Sequence, residues 1–439
     1  MNSAVQKIGV REKLSYGLLT LGNIPIMVLI NSFLLIFYTD VAGLNPAAVA
    51  TLFLVSRLFD AINDPIVGYI MDHRKSTKGG RFRPALFLFG IITALNFLLL
   101  WFGGVWAPAG KMVVVYIVYL LFGITFDVLD IAGNGILPAI TQHVASRDTL
   151  SVIKGVCQIL GGTVVSIAAP IILGGAASQI SGYYALIGGA TVVVALFTVV
   201  GALGIKERIV PEEDAPQYKF KDIFRILTYR PLLALVLLYL AVGLGSSFQT
   251  SVNAYYFTYI IGDLTVMGLV TGSSLIGLLL SLILAKPLLS KLAKKRVAVL
   301  SAIMLAVGCL IRLIAPTLIP VQIVGGIFSN FGMGLFTATL PALLADNVDA
   351  MSDTMGFRAE GVIFALTSFV SKVTMGVGGA VPGYILAAAG YQANAESQVP
   401  GVNTAIIIML LVLPAVFYVI SGFVFGFGYP KAAVQESEK

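Results

Sequence analysis

The sequence predicts an all-α membrane protein whose twelve transmembrane helices form two halves of six. Three observations predict it. Of the 439 residues, 58% are hydrophobic and only 11% are charged, whereas a soluble chain carries about a quarter charged residues to cover its surface. The oily stretches run roughly 20 to 30 residues, long enough to cross a core of about 30 Å as helix, and the alternating pattern of barrel strands is absent. One long polar break, residues 206–230 with Pro-Glu-Glu-Asp-Ala-Pro at Pro211–Pro216, falls in the middle of the chain. The expected organisation is therefore a half at 1–205, a linker at 206–230, and a half at 231–439 with a short tail.

The first span centres near Pro25 and carries Tyr16, Thr20, Asn23 and Asn31 close to one face. It is too long for a cleavable signal and lacks the small-residue cleavage site. The second, near Arg57, is charged: Arg57, Asp60 and Asp64 at i, i+3 and i+7 share one helical face. The third, near Thr93, is almost wholly apolar. The fourth, near Phe122, ends in Phe-Asp-Val-Leu-Asp-Ile-Ala-Gly-Asn-Gly, which sets Asp127, Asp130 and Asn134 on one face. The fifth, near Gly162, begins with Lys154 and Gln158 one turn apart, and the sixth lies near Val193.

Beyond the break, the seventh span near Ala241 carries Gln249, Asn253 and Tyr256 as an i, i+4, i+7 row. The eighth, ninth and tenth, near Leu278, Ala306 and Phe328, are apolar runs separated by tight turns. The eleventh, near Phe369, holds Lys372 deep in an apolar stretch, and the twelfth lies near Leu411. The basic loop after the second span has a shorter counterpart, Lys291–Arg296, after the eighth. Equal span counts and echoed loop charge predict a parallel repeat with a binding site near mid-membrane.

Lys and Arg outnumber Asp and Glu by 28 to 21, a net charge of +7. The excess lies in alternate loops, among them Arg74–Arg83, Lys206–Arg230 and Lys291–Arg296, while residues 40–45 and 391–400 hold essentially none. The positive-inside rule places both termini in the cytoplasm. The basic excess is thus a topology signal and not a nucleic-acid site. Cys157 and Cys309 lie inside spans with no disulfide or metal spacing. No Ser/His/Asp set, metal-ligand cluster or phosphate-binding glycine loop stands out, so neither an enzyme nor a bound cofactor or resident metal is expected.

The charged groups inside the oily spans carry the functional expectation. Each charge at a helix centre costs on the order of 2.5–3.5 kcal/mol on insertion scales, so Asp60, Asp64, Asp127 and Asp130 must face protein or a wet cavity. Arg57 and Lys372 balance part of their charge, leaving two positive groups against four negative ones. A visiting Na⁺, Li⁺ or H⁺ would fill the deficit, because hard cations take carboxylate oxygens and crowded carboxylates hold protons. The polar rows on the first, fifth and seventh spans suit a hydroxyl-rich solute.

Asp60–Pro84, Asp-Ala-Ile-Asn-Asp-Pro-Ile-Val-Gly-Tyr through Gly-Gly-Arg-Phe-Arg-Pro, closely resembles the signature of the glycoside–pentoside–hexuronide:cation symporters. Lys13–Gly17, Tyr38–Leu44 and Phe357–Gly361 resemble further landmarks of that family, and the resemblance covers nearly the whole chain. It implies the major facilitator fold in the cell membrane and import of a glycoside, pentoside or hexuronide with Na⁺ or H⁺. Asp60, Asp64 and Asp130 match the family's cation-site carboxylates, Lys372 the lysine near that site, and Asp130 also faces the sugar. Asp72, Arg81, Arg83, Arg147, Asp148, Asp346, Asp349, Arg358 and Glu360 are implied as ion pairs at the cytoplasmic side that break and re-form during alternating access.

Departures from the melibiose permeases bear on cargo. Asn23 and Ile24 replace a lysine–aspartate pair, Asn134 replaces a stacking tryptophan, a sugar-binding arginine falls near Lys154 or Gly155, and Asp127 replaces a cation-site threonine. The implied partners are a small sugar, a monovalent cation and the lipid bilayer, with a monomer as the working unit. The alternatives are a lipid or lysolipid carrier of the same superfamily and a non-transporting membrane sugar sensor.

Overall fold

The computed structural model describes residues 8–73, 80–107, 109–141, 143–208, 229–355, 360–395 and 397–429. Among them, twelve helices are long and apolar enough to cross a membrane. Contacts divide the chain into two compact units, Met1–Glu213 and Asp214–Lys439.

Unit 1 holds α1 (Val10–Ile36), α2 (Pro46–His73), α3 (Arg83–Trp106), α4 (Lys111–Ile140), α5 (Val144–Gly174) and α6 (Gln179–Gly204). Helix α1 packs along α6 and α5, and α4 packs along α3 and α2. Lipid tails supply no hydrophobic drive between helices, so close approach rests on small residues. At the α1–α6 crossing a methyl on Gly201 would lie 2.7 Å from the Leu19 backbone nitrogen. Phe37 closes one end of the unit, with its ring centroid 4.7 Å from Tyr183 and 5.1 Å from Trp101.

Unit 2 holds α7 (Arg230–Tyr256), α8 (Thr265–Lys291), α9 (Lys294–Ile314), α10 (Ile319–Met355), α11 (Glu360–Ala388), α12 (Pro400–Ile407) and α13 (Leu413–Gly428). Helix α10 packs along α8 and α9, while α7 packs between α11 and α13. Leu235, Leu238, Leu305, Tyr418 and Phe425 form its core. A methyl on Gly277 of α8 would overlap the Ile327 carbonyl of α10. The basic stretch at Lys291–Arg296, expected as a loop, is mostly helix: only Leu292 and Ala293 separate α8 from α9.

The two units repeat one device. Helices α1 and α7 are each 27 residues long and each runs into a five-residue π-helical turn, Phe37–Val41 and Phe257–Ile261. A glycine follows each at φ +70° (Gly43) and +80° (Gly262), where a side chain would be strained. A third π turn, Ile408–Val412, joins α12 to α13 within one span. Hydropathy does not distinguish π from α turns, so none was visible in the sequence.

Candidate functional site

The second and fourth spans pack against each other in unit 1, which brings their charged faces together. Arg57 Nη1 lies 3.2 Å from Asp60 Oδ2, within one turn of α2. The other oxygen, Asp60 Oδ1, lies where a methyl on Gly123 of α4 would come within 3.1 Å of it, so a glycine there leaves room for the carboxylate. Asp64 is half-buried one turn further along α2.

Between Asp60 and Asp64 on α2, Asn63 Nδ2 donates to Asp127 Oδ2 across the helix interface at 2.6 Å. Asn63 escaped sequence reasoning because an amide beside two aspartates carries no charge to flag it. Asp127 interacts electrostatically with Asp60, Asp130 and Arg57. The spacing of Asp127, Asp130 and Asn134 on α4 then continues the polar line toward α5. Asn134 Nδ2 donates to Asp130 Oδ2 at 3.0 Å, and Lys154 Nζ of α5 donates to Asn134 Oδ1 at 2.7 Å.

That line opens on a cleft of about 230 Å³ bordered by α1, α4 and α5. Tyr16, Thr20 and Asn23 reach it from α1, Phe126, Asp130 and Asn134 from α4, and Lys154 and Gln158 from α5. The Thr20 hydroxyl donates to its own helix at Tyr16 O, 3.0 Å away. Asn23 Oδ1 is buried with no hydrogen-bond partner among the described residues, an acceptor whose desolvation costs about 1–3 kcal/mol until a donor arrives. Polar groups from three helices stand beside the apolar side chains of Leu19, Ile24 and Met27, the mix of surfaces that binding sites for small polar ligands share.

The polar row on α7 has a different setting. Gln249 Nε2 donates to Leu410 O at 3.2 Å, inside the third π turn, and its Oε1 accepts from Tyr418 Oη at 3.2 Å. Tyr256 is fully buried, donates to Pro316 O, and has the Arg312 guanidinium 5.7 Å from its ring centroid. Both side chains therefore tie helices of unit 2 together. Asn253 on α7 and Lys372 on α11 are half-buried in that unit.

The expected gate residues divide in the same way. Glu207 Oε2 accepts from Arg81 N at 2.7 Å, and Glu207 Oε1 accepts from Phe82 N at 2.8 Å and from Arg83 N. Arg83 returns the favour to α6, donating to Ala202 O at 2.8 Å and Leu203 O at 2.9 Å. Asp346 pairs with Lys294 at 2.6 Å. Arg147 and Asp148 are exposed on the first turn of α5. The side chains of Asp72, Asp349, Arg358 and Glu360 lie outside the described residues.

Comparison with known proteins gives the family. The family described as MFS/sugar transport protein matches residues 15–430. The isoprimeverose transporter of Lactiplantibacillus pentosus is 32% identical over 405 residues, covering 89% of this chain and 83% of its own. The glucuronide carrier protein homolog of Escherichia coli K12 is 28% identical over 411 residues, covering 91% and 87%. Among solved structures, a mutant of the nucleoside transporter NupG superposes with a TM-score of 0.69 at 12% identity, covering 95% of this chain and all of its own.

Proposed function

The chain belongs to the MFS/sugar transport protein family, as a glycoside–pentoside–hexuronide member of the major facilitator superfamily, and from that premise we propose that it imports a sugar or glycoside by symport with Na⁺ or H⁺. It is a multi-pass cell-membrane transporter and not an enzyme. One observation supports the coupled reading above the others: Asp127 of α4 interacts electrostatically with Asp60 of α2 and with Asp130, and Asp130 lines the polar cavity. Asp64 completes the cation set one turn along α2. Asn23, Asp130, Lys154 and Gln158 are the sugar contacts, with Asn134 lining the cavity among them.

In this reading the cation lowers the local negative charge and the loaded carrier then takes sugar from outside. Coupling requires that each ligand raise the affinity of the other by the same factor. The test is uptake by proteoliposomes of isoprimeverose, xylose and methyl β-D-glucuronide, with and without an inward Na⁺ or H⁺ gradient. Concentrative uptake is expected for at least one sugar under one gradient. Asp64→Asn is expected to abolish accumulation while the protein remains folded, and normal accumulation by a well-expressed mutant rejects the assignment of the cation site.

A further inference from the structure

The Asn134 carboxamide faces two charges of opposite sign, and this decides its orientation. Its amide group donates to Asp130 Oδ2 at 3.0 Å, and its carbonyl accepts from Lys154 Nζ at 2.7 Å. The reversed amide would set two donors together and two acceptors together, so the chain Lys154–Asn134–Asp130 has one polarity. All three residues line the cavity, and Lys154 and Asp130 also attract each other electrostatically.

Resting on the symport reading, we infer that Asn134 is a positioning residue that holds the Lys154 ammonium away from the sugar until the coupling ion occupies Asp130. While Asp130 is a bare carboxylate, its charge polarises the amide, and the amide in turn strengthens its grip on Lys154. A proton or Na⁺ on Asp130 removes the charge that orients the amide. Lys154, with three N–H donors, is then released to the cavity. Asn23 lines the same cavity, and its Oδ1 is a buried acceptor with no partner among the described residues. An acceptor at Asn23 and a freed donor at Lys154 are what a sugar hydroxyl needs, since it both donates and accepts. Ion occupancy at Asp130 thus becomes sugar affinity one residue pair away, with Asn134 as the link.

The relay is read as a ratio of dissociation constants. Purified protein in nanodiscs is titrated with whichever of isoprimeverose, xylose or methyl β-D-glucuronide drives cation-dependent uptake in the wild type, with the coupling cation absent and saturating. Wild type is expected to bind about tenfold more tightly with the cation, within the usual range for coupled sites. Asn134→Leu removes both hydrogen bonds, and its ratio is expected to fall to within about twofold of unity on the same scale. Asn134→Gln keeps the carboxamide and is expected to restore part of the ratio. If Asn134→Leu does not fold, Asn134→Ser, too short to meet both partners, takes its place. A variant that weakens both constants equally and leaves the ratio intact is a plain substrate contact, and overturns the relay alone. A wild-type ratio of one with Na⁺, Li⁺ and across pH overturns the relay, whereas the absence of cation-dependent uptake of all three sugars overturns the symport reading, and the relay with it.

Discussion

A carboxylate inside a span is costly, and what stands beside it determines what it can bind. Asp60 has the Arg57 guanidinium at 3.2 Å, whereas Asp127 has a neutral amide, Asn63, at 2.6 Å. A neutral donor cancels none of the charge of Asp127, whose only cationic influence among the described residues is the more distant Arg57, so this group is the candidate proton carrier or second ion site of the cluster. Removing it while keeping an oxygen, Asp127→Thr, is expected to shift preference from H⁺ toward Na⁺. The measurement is sugar-driven Na⁺ and H⁺ flux in the same vesicles. The flux ratio is expected to move by about tenfold, equivalent to ~1.4 kcal/mol, and an unchanged ratio removes Asp127 from the ion site. At this scale the aspartates were readable because a charge in an apolar run is conspicuous. Asn63 was not, and neither were the settings of Gln249 and Tyr256, because a polar row at helical spacing does not say whether its face meets a cavity or a neighbouring helix.

Helix ends supply the next scale. The N-cap of α3 is Phe82, whose side chain offers no acceptor, and a helix start leaves its first N–H groups unsatisfied. Glu207, 125 residues later in the chain, supplies the acceptor for Phe82 N at 2.8 Å and also binds the flanking amides. Arg83 answers by donating to two last-turn carbonyls of α6. Arg208 adds an ion pair to Glu12 of α1 at 2.8 Å and donates its backbone N–H to Ala139 O at 2.9 Å. The stretch Lys206–Arg208, which composition assigns to the linker, is thus bound to unit 1. Composition marks it as polar but not as a cap, because its partners are distant in sequence. Gly80 belongs to the same clasp: its φ is +101°, and a methyl there would meet the Glu207 carboxyl at 2.5 Å. Glu207→Ala is expected to lower the stability of the purified protein by about 1–2 kcal/mol, the usual worth of a helix cap. Gly80→Ala acts on the same carboxylate, so the double variant is expected to be less destabilised than the sum of the singles. Thermal unfolding in detergent measures all three, and strict additivity would separate Gly80 from the clasp.

For the whole molecule, span number and order were legible because lipid forces every crossing segment to be long, apolar and helical. All twelve spans in the structure contain the residues on which the hydropathy pattern centred them. The repeat of a 27-residue helix and a five-residue π turn in both units is backbone geometry that side-chain composition does not encode. Orientation across the bilayer follows from charge instead, through the preference of Lys and Arg for the cytoplasmic side. The links α3–α4 and α5–α6, at residues 107–110 and 175–178, carry no Lys or Arg, while the stretch from Lys206 is basic. In a background with Cys157 and Cys309 replaced by serine, Ala109→Cys and Ala177→Cys place thiols at exposed positions on the first set, and Lys206→Cys on the second. A membrane-impermeant maleimide added to intact cells is expected to label the first two and to reach the third only after permeabilisation. The reverse pattern would turn the molecule over in the membrane. The basic loops would then face outward.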